Sequence, residues 1–212
     1  MNFGLAFSYV FNDEQWFKKV ALPALCGLIP VIGPFIVAGW GFKATKNVME
    51  GNEENALPDL AFGADLGRGF MATLIGLIYS LPVAIIGSIS GGLFGFGGNQ
   101  DQTWMIILYI IGGCFGLIGL LLAVLIALMG VAAIANYVAK GKFGAAFNFK
   151  EIFGMLKKSF VSWLLTILGL ILATSIIAPL GGIVCGIGAL LTGAYGTAFF
   201  SHLLGQAYNK SV

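Results

Sequence analysis

Few side chains in this sequence could do chemistry. His202 is the single histidine, placed in "FFSHLLGQ" near the end of a long apolar run. Histidine titrates near neutral pH and is the commonest metal ligand. With no second histidine, neither a multi-histidine metal centre nor a triad elsewhere in the chain can be built. A hydrogen-bonded structural histidine is the reading left, with a pocket opening beside it as the functional alternative. Asp59 and Asp65, in "ENALPDLAFGADLGRGF" (54–70), are the acids an enzymatic site could use. Cys26, Cys114 and Cys185 stand far apart in apolar runs, which suits small buried hydrophobes rather than a disulfide framework or zinc site. Tyr79, Ser80, Asn136, Tyr137, Thr166, Thr174 and Ser175 are the polar groups of the apolar runs, and such groups usually bond to neighbouring helices. His202, Tyr79 and Asn136 are the candidates for a polar pocket. "GGLFGFGG" (91–98) lacks the lysine and hydroxyl of a phosphate loop and reads as a flexible loop. No catalytic residue, cofactor or metal ligand is expected.

The cations form a clearer pattern. In "NFKEIFGMLKKSF" (148–160), Phe149, Ile152, Phe153, Leu156 and Phe160 share one helical face, while Lys150, Glu151, Lys157 and Lys158 take the other. A helix of that kind lies along a membrane surface with its lysines among headgroups. Lys18, Lys19, Lys150, Lys157 and Lys158 are thus candidates for holding anionic lipid headgroups.

The elements carrying these residues are set by composition. The 212 residues are 58% hydrophobic and only 9% charged, against about 25% charged in a soluble domain. Too few charges remain to cover a surface in water, so lipid must cover it. No Asp, Glu, Lys or Arg occurs from 69 to 100, 102 to 139 or 159 to 209, and a helix crosses the hydrocarbon core with about 20 apolar residues. The net charge of +2 is too small to suggest a nucleic-acid partner. Outer turns at "PVIGP" (30–34), "GGLFGFGGNQDQT" (91–103) and "APLGG" (178–182) put all eleven basic residues on one side and only Asp101 on the other. The positive-inside rule makes that side cytoplasmic, with both termini there. The nine residues from Pro34 to Lys43 make about 13 Å of helix, so in the first hairpin either Lys43 and Lys46 snorkel or the hairpin is re-entrant and reaches part-way. A single span over 20–42 is the alternative, and Pro23, Pro30 and Pro34 would kink it repeatedly. The run from Trp104 to Tyr137 is long enough to predict a break at Gly112-Gly113 and a span from about 114 to 138. The N-terminus lacks a signal peptide's basic region and cleavage site and is expected to stay in the mature protein.

Sliding the chain by ninety residues sets "NVMEG" (47–51) on "YVAKG" (137–141), Leu66 on Leu156, Arg68 on Lys158, Phe70 on Phe160 and Leu74 on Leu164. "AFSYVFNDEQWFKK" (6–19) also matches "AFNFKEIFGMLKK" (146–158). One membrane domain, 1–212, of three direct pseudo-repeats, about 6–51, 57–141 and 146–207, follows. Small residues at helix-packing spacing, Gly112 with Gly116, Gly182 with Gly186 and Ala189 with Gly193, suit close helix contact within the chain, or between copies in a homo-oligomer. Pro58 with Asp59 suits the first turn of a helix.

Three stretches, "SYVFNDEQWFKK", "GWGFKATKNVMEG" and "LPDLAFGADLGRGF", carry a resemblance to the prokaryotic membrane-protein family catalogued as domain of unknown function 4013. Phe62 stands where that family often has tryptophan. The resemblance covers most of the first half, and the second half by hydropathy. It implies a multi-pass protein of a prokaryotic cytoplasmic membrane and no established activity, so no functional residue carries over.

The expected fold is all-α and polytopic, with about five to six membrane-embedded helices in three hairpin-like repeats and amphipathic helices at the interface. The expected function is a non-enzymatic membrane component packing against lipid or a partner protein. A passive permease or exporter for a small or lipidic substrate is the alternative.

Overall fold

The computed structural model describes residues 1–183 and 187–212, so Cys185 and the Gly186 half of one small-residue pair lie outside the described residues. The helices are α1 (Phe3–Ser8), α2 (Trp16–Cys26), α3 (Ile32–Met49), α4 (Phe62–Gly97), α5 (Gln102–Lys140), α6 (Phe149–Lys158), α7 (Phe160–Leu172) and α8 (Ile187–Ser211). A π-helical turn, Ala173–Ile177, carries α7 on to Leu180. Among the described residues there is no strand.

Local chemistry sets several boundaries. Asp101, the isolated acid of the far end, caps α5 by accepting from the Thr103 and Trp104 amides at 3.0 and 3.1 Å. Gly141, at φ 64°, ends α5 in the left-handed conformation that glycine adopts freely. Asn148 caps α6 and Glu151 reaches back to its side chain at 3.1 Å, a capping box in outline.

The helices pair as hairpins. In the first, Lys19 Nζ of α2 donates to the Leu57 carbonyl and Trp40 Nε1 of α3 to the Pro58 carbonyl. Both arms thus meet the same segment, and the chain reverses over 27–31. The turn comes earlier than the expected 30–34, because Pro34 sits inside the first turn of α3, where its missing N–H costs nothing. Val31 takes φ 68°, a strained conformation for a β-branched residue.

The second hairpin departs furthest from expectation. "GGLFGFGG" is the end of α4, not a loop, and α5 runs unbroken through Gly112-Gly113. Glycine weakens a helix by only about 1 kcal/mol per residue, and a facing helix offsets that. Ser90 Oγ donates to the Gly112 carbonyl at 2.8 Å, and Gly112 and Gly116 both face Ser90. The 36 residues of α4 and 39 of α5 make rods of about 54 and 58 Å. Helix α4 begins at Phe62 rather than at Pro58-Asp59, because the Pro58 carbonyl is engaged by Trp40 and Asp65 is the acid of the first turn.

Among the described residues, three helices are long and apolar enough to cross a membrane, over Phe62–Gly97, Gln102–Lys140 and Phe160–Leu180. Helices α2, α3 and α8 are not among these three. Helix α8 carries His202, Gln206 and Asn209 in its second half, and α3 carries Lys43 and Lys46.

The core gathers at the charged ends of the helices, around Trp40, Trp163, Tyr9, Phe199, Ile36 and Leu203, all fully buried. Helices α3 and α4 touch backbone to backbone at Gly39 and Gly69, where a Cβ on Gly39 would overlap the Asp65 carbonyl and one on Gly69 the Phe35 carbonyl. The far halves of α4 and α5 pack on each other at Ser90 and Gly112 and present Leu81, Ile85, Phe96, Trp104, Leu117 and Leu121 outward. Cys114 lies on that outward face rather than buried.

Candidate functional site

The acids of the distinctive 54–70 stretch separate at once. Asp59 is exposed, whereas Asp65 is fully buried. Helix α4 turns the Asp65 carboxylate toward α3, where Arg68 donates to Oδ1 at 2.7 Å and Lys43 meets Oδ2 at 3.4 Å. The Ala61 amide donates to Oδ2 at 2.7 Å, and Arg68 also reaches the Gly39 carbonyl at 3.2 Å. Both carboxylate oxygens are therefore occupied at the point where α3 and α4 touch. A carboxylate bound on both sides is a clamp between helices, and taking one partner from a buried pair typically costs about 3–5 kcal/mol.

His202 is fully buried in a second network. Gln206 Nε2 donates to its Nδ1 at 2.9 Å, so the proton sits on Nε2, which donates to the Glu53 carbonyl at 2.9 Å. The Gln206 amide orientation is fixed in turn, since its Oε1 accepts from the Asn2 amide at 2.6 Å and its Nε2 meets the Asn2 carbonyl at 3.1 Å. The Tyr9 ring lies 4.5 Å from the imidazole, and its hydroxyl donates to the Ala198 carbonyl at 3.0 Å. Both ring nitrogens are engaged within the protein. The imidazole ties the N-terminal segment and the 50–61 loop to α8. No sequence signal pairs Asn2 with Gln206.

Tyr79 and Asn136 meet elsewhere. Tyr79 of α4 donates to the Ala146 carbonyl at 2.7 Å, and Asn136 of α5 donates to the Ala145 carbonyl at 2.9 Å. Both hold the short turn Phe143–Phe147 that leads into α6. Asn136 Nδ2 also reaches Glu151 at 3.1 Å, while its buried Oδ1 has no partner among the described residues. The three polar-pocket candidates thus form two networks, His202 in one and Tyr79 with Asn136 in the other.

The headgroup lysines divide as well. Lys18, Lys150 and Lys157 are exposed, and no ion pair engages them among the described residues. Lys19 is taken by Asp13 at 2.6 Å and by the Leu57 carbonyl at 3.4 Å. Lys158 bonds to the main-chain oxygen of Val212. Helix α6 splits its apolar face: Ile152, Met155 and Leu156 are buried in the core, and Phe149, Phe153 and Phe160 stay exposed beside the lysines. Met155 is the residue that sequence periodicity left out. Among the described residues, no group of three His, Cys, Asp or Glu gathers as a metal site would.

A family model described as a protein of unknown function, DUF4013, matches residues 23–191, from the first hairpin into the third. No curated protein matches the chain, and no solved structure does.

Proposed function

Because this chain belongs to the DUF4013 family, we propose that it is a non-enzymatic, multi-pass component of a prokaryotic cytoplasmic membrane, packing against lipid or a partner protein with both termini cytoplasmic. One observation carries the reading: the two ionisable groups buried among the helices, Asp65 and His202, are consumed in joining them. Asp65 is bound through both oxygens and His202 through both nitrogens. Exposed are an apolar surface on the long helices and, at one end, the lysines Lys18, Lys150 and Lys157, without an ion pair among the described residues, together with the acids Glu14, Glu50, Glu54 and Asp59. Lys18, Lys150 and Lys157 then hold anionic headgroups, each contributing about 1 kcal/mol, while Phe149 and Phe153 beside them enter the acyl boundary. The charge pattern supports the orientation, since every cation belongs to the end opposite Asp101.

The test uses purified protein in vesicles containing spin-labelled phosphatidylglycerol or spin-labelled phosphatidylcholine. The motionally restricted fraction should favour phosphatidylglycerol, and the triple variant Lys18→Gln, Lys150→Gln, Lys157→Gln should lose most of that preference. A wild-type protein with equal affinity for both lipids removes the headgroup role.

A further inference from the structure

His202 can keep its present bonds in one charge state alone, and the reason lies in Gln206. The Gln206 amide meets three groups at once. Its Oε1 accepts from the Asn2 amide at 2.6 Å, and its Nε2 faces both the Asn2 carbonyl at 3.1 Å and His202 Nδ1 at 2.9 Å. Turned over, it would set an NH2 against the Asn2 N–H and an oxygen against the Asn2 carbonyl. One residue's main chain, offering a donor and an acceptor together, therefore admits a single orientation. Nδ1 must then accept, and the ring's one proton sits on Nε2, directed at the Glu53 carbonyl 2.9 Å away.

A second proton can enter only at Nδ1. The imidazolium is a donor at both nitrogens, so Nδ1–H would face the N–H of Gln206. Leaving a charged donor buried without an acceptor costs more than losing a neutral bond. The arrangement that satisfies the cation turns the Gln206 oxygen to Nδ1 and gives up both bonds to Asn2. The opposite side of the ring responds the other way, since the bond from Nε2–H to the Glu53 carbonyl survives protonation and becomes charge-assisted.

The surroundings set how readily the charge forms. Burial holds the imidazole below the ordinary histidine value, opposed by the Glu53 carbonyl and then by the Glu53 carboxylate. Among the described residues, no other charged side chain acts on the ring. The Met1 amine and Lys210 stand close to each other, and the amine also feels Glu53. From the N-terminal segment, the Tyr9 hydroxyl is committed to the Ala198 carbonyl. From α3, Thr45 donates to the Ser201 carbonyl at 2.9 Å.

Asn2 is also the cap of α1. Its Oδ1 accepts from the Leu5 amide at 2.9 Å and its carbonyl from the Ala6 amide at 3.2 Å. The far end of α1 is held separately, by the Tyr195 hydroxyl on the Phe7 carbonyl at 2.7 Å and by the Phe7 ring stacked 4.1 Å from Phe199. Gln206 thus ties down the first turn. Asn2 is exposed, so fraying of that turn brings water to Nδ1.

We propose that His202 and Gln206 form a proton-operated latch: an imidazolium at His202 turns the Gln206 amide and releases Asn2, so that the first turn of α1 leaves α8 while Glu53 keeps the 50–61 loop in place. The two arrangements of one amide are the bistable element. The latch goes beyond the scaffold role proposed above and uses none of its lysines. The closed form binds one proton fewer than the open form. It is fully favoured above the ordinary histidine pKa of about 6.5, and its ratio to the open form falls by up to about tenfold per pH unit below that.

The test is hydrogen–deuterium exchange on the full chain in nanodiscs of zwitterionic lipid, each rate normalised to the intrinsic rate at its pH. From about pH 7 to about pH 5, protection of the Leu5 and Ala6 amides should fall about tenfold or more, while the 50–61 loop and α8 keep theirs. Gln206→Glu offers one oxygen to the Asn2 N–H and the other to the imidazolium. Its pH response should reverse, with the two amides better protected in acid. His202→Gln keeps an N–H for the Glu53 carbonyl and cannot titrate, so it should remove the response. Protection that stays constant across this range, or that falls equally in Gln206→Glu, overturns the latch. Parallel loss in the 50–61 loop also overturns it, because a core merely unfolded by acid loosens everywhere. If His202→Gln aggregates, the sign of the response in Gln206→Glu decides alone.

Discussion

Glu151 shows how the charged end is held together. Lys140 Nζ lies 2.5 and 2.7 Å from its two oxygens, and the Asn136 and Asn148 amides reach it at 3.1 Å. The Lys140 bond first, then Asn136, hold its carboxyl below the ordinary 4.5, against a smaller opposing effect of burial. A carboxylate depressed in the folded state stabilises above the unfolded pKa and loses that contribution as pH falls through the folded value. Glu151→Gln should therefore melt below wild type at neutral pH, and the gap should close as the pH drops beneath about 4.5. A gap that stays constant into strong acid would show that the ion pair contributes nothing. None of this partnership could be read from the sequence, because Lys140 and Glu151 stand in different helices joined by a turn whose path depends on Tyr79 and Asn136. Asp101 is the opposite case. An acid followed by a long apolar run is a helix start in its own right, and its role needs no distant partner.

Among the elements, charge-free runs and helical periodicity made the long helices legible, and the prolines made the chain reversal between α2 and α3 legible. Where they end or break was less so. Gly112-Gly113 looks like a break in isolation, yet the same absence of side chains admits α4 and keeps α5 straight. Gly39 and Gly69 are not legible in the sequence, because each is embedded in other glycines and small residues and only the crossing of α3 over α4 distinguishes them. Gly69→Ala should cost about 1–3 kcal/mol, since the helices must separate to seat a methyl group against backbone. Gly76→Ala, on the same helix with nothing within 4 Å of an added Cβ, should instead be neutral or gain up to about 1 kcal/mol from better helix propensity. Thermal unfolding in detergent measures both, and equal losses would discard the backbone contact as the cause. Helix α6 was half legible: its periodicity marks an amphipathic helix, but only α5 and α8 decide that Ile152 and Leu156 turn inward with Met155 while Phe149 and Phe153 do not.

For the whole molecule, orientation is the property that sequence alone suggests most directly and that side-chain contacts cannot supply. In a background without Cys26, Cys114 and Cys185, a cysteine at Asn99 should react with an impermeant maleimide added to intact cells. One at Lys150 should react only after permeabilisation. The reverse pattern would invert the protein in the bilayer and with it the proposed headgroup contacts. Hydropathy could not foretell how unequal the three hairpins are, because an apolar residue reads alike whether lipid or another helix covers it. That inequality bears on where such a molecule can reside. The uncharged part of α4, from Gly69 to Gly97, is about 44 Å of rod against roughly 30 Å of hydrocarbon. A bilayer is about 40–45 Å thick with its headgroup regions, so in the proposed orientation the rod either ends among the headgroups, or leans, or swells the lipid around its tip. Either distortion eases as acyl chains lengthen, so the proposed orientation predicts that the protein partitions into the thicker of two coexisting bilayer phases.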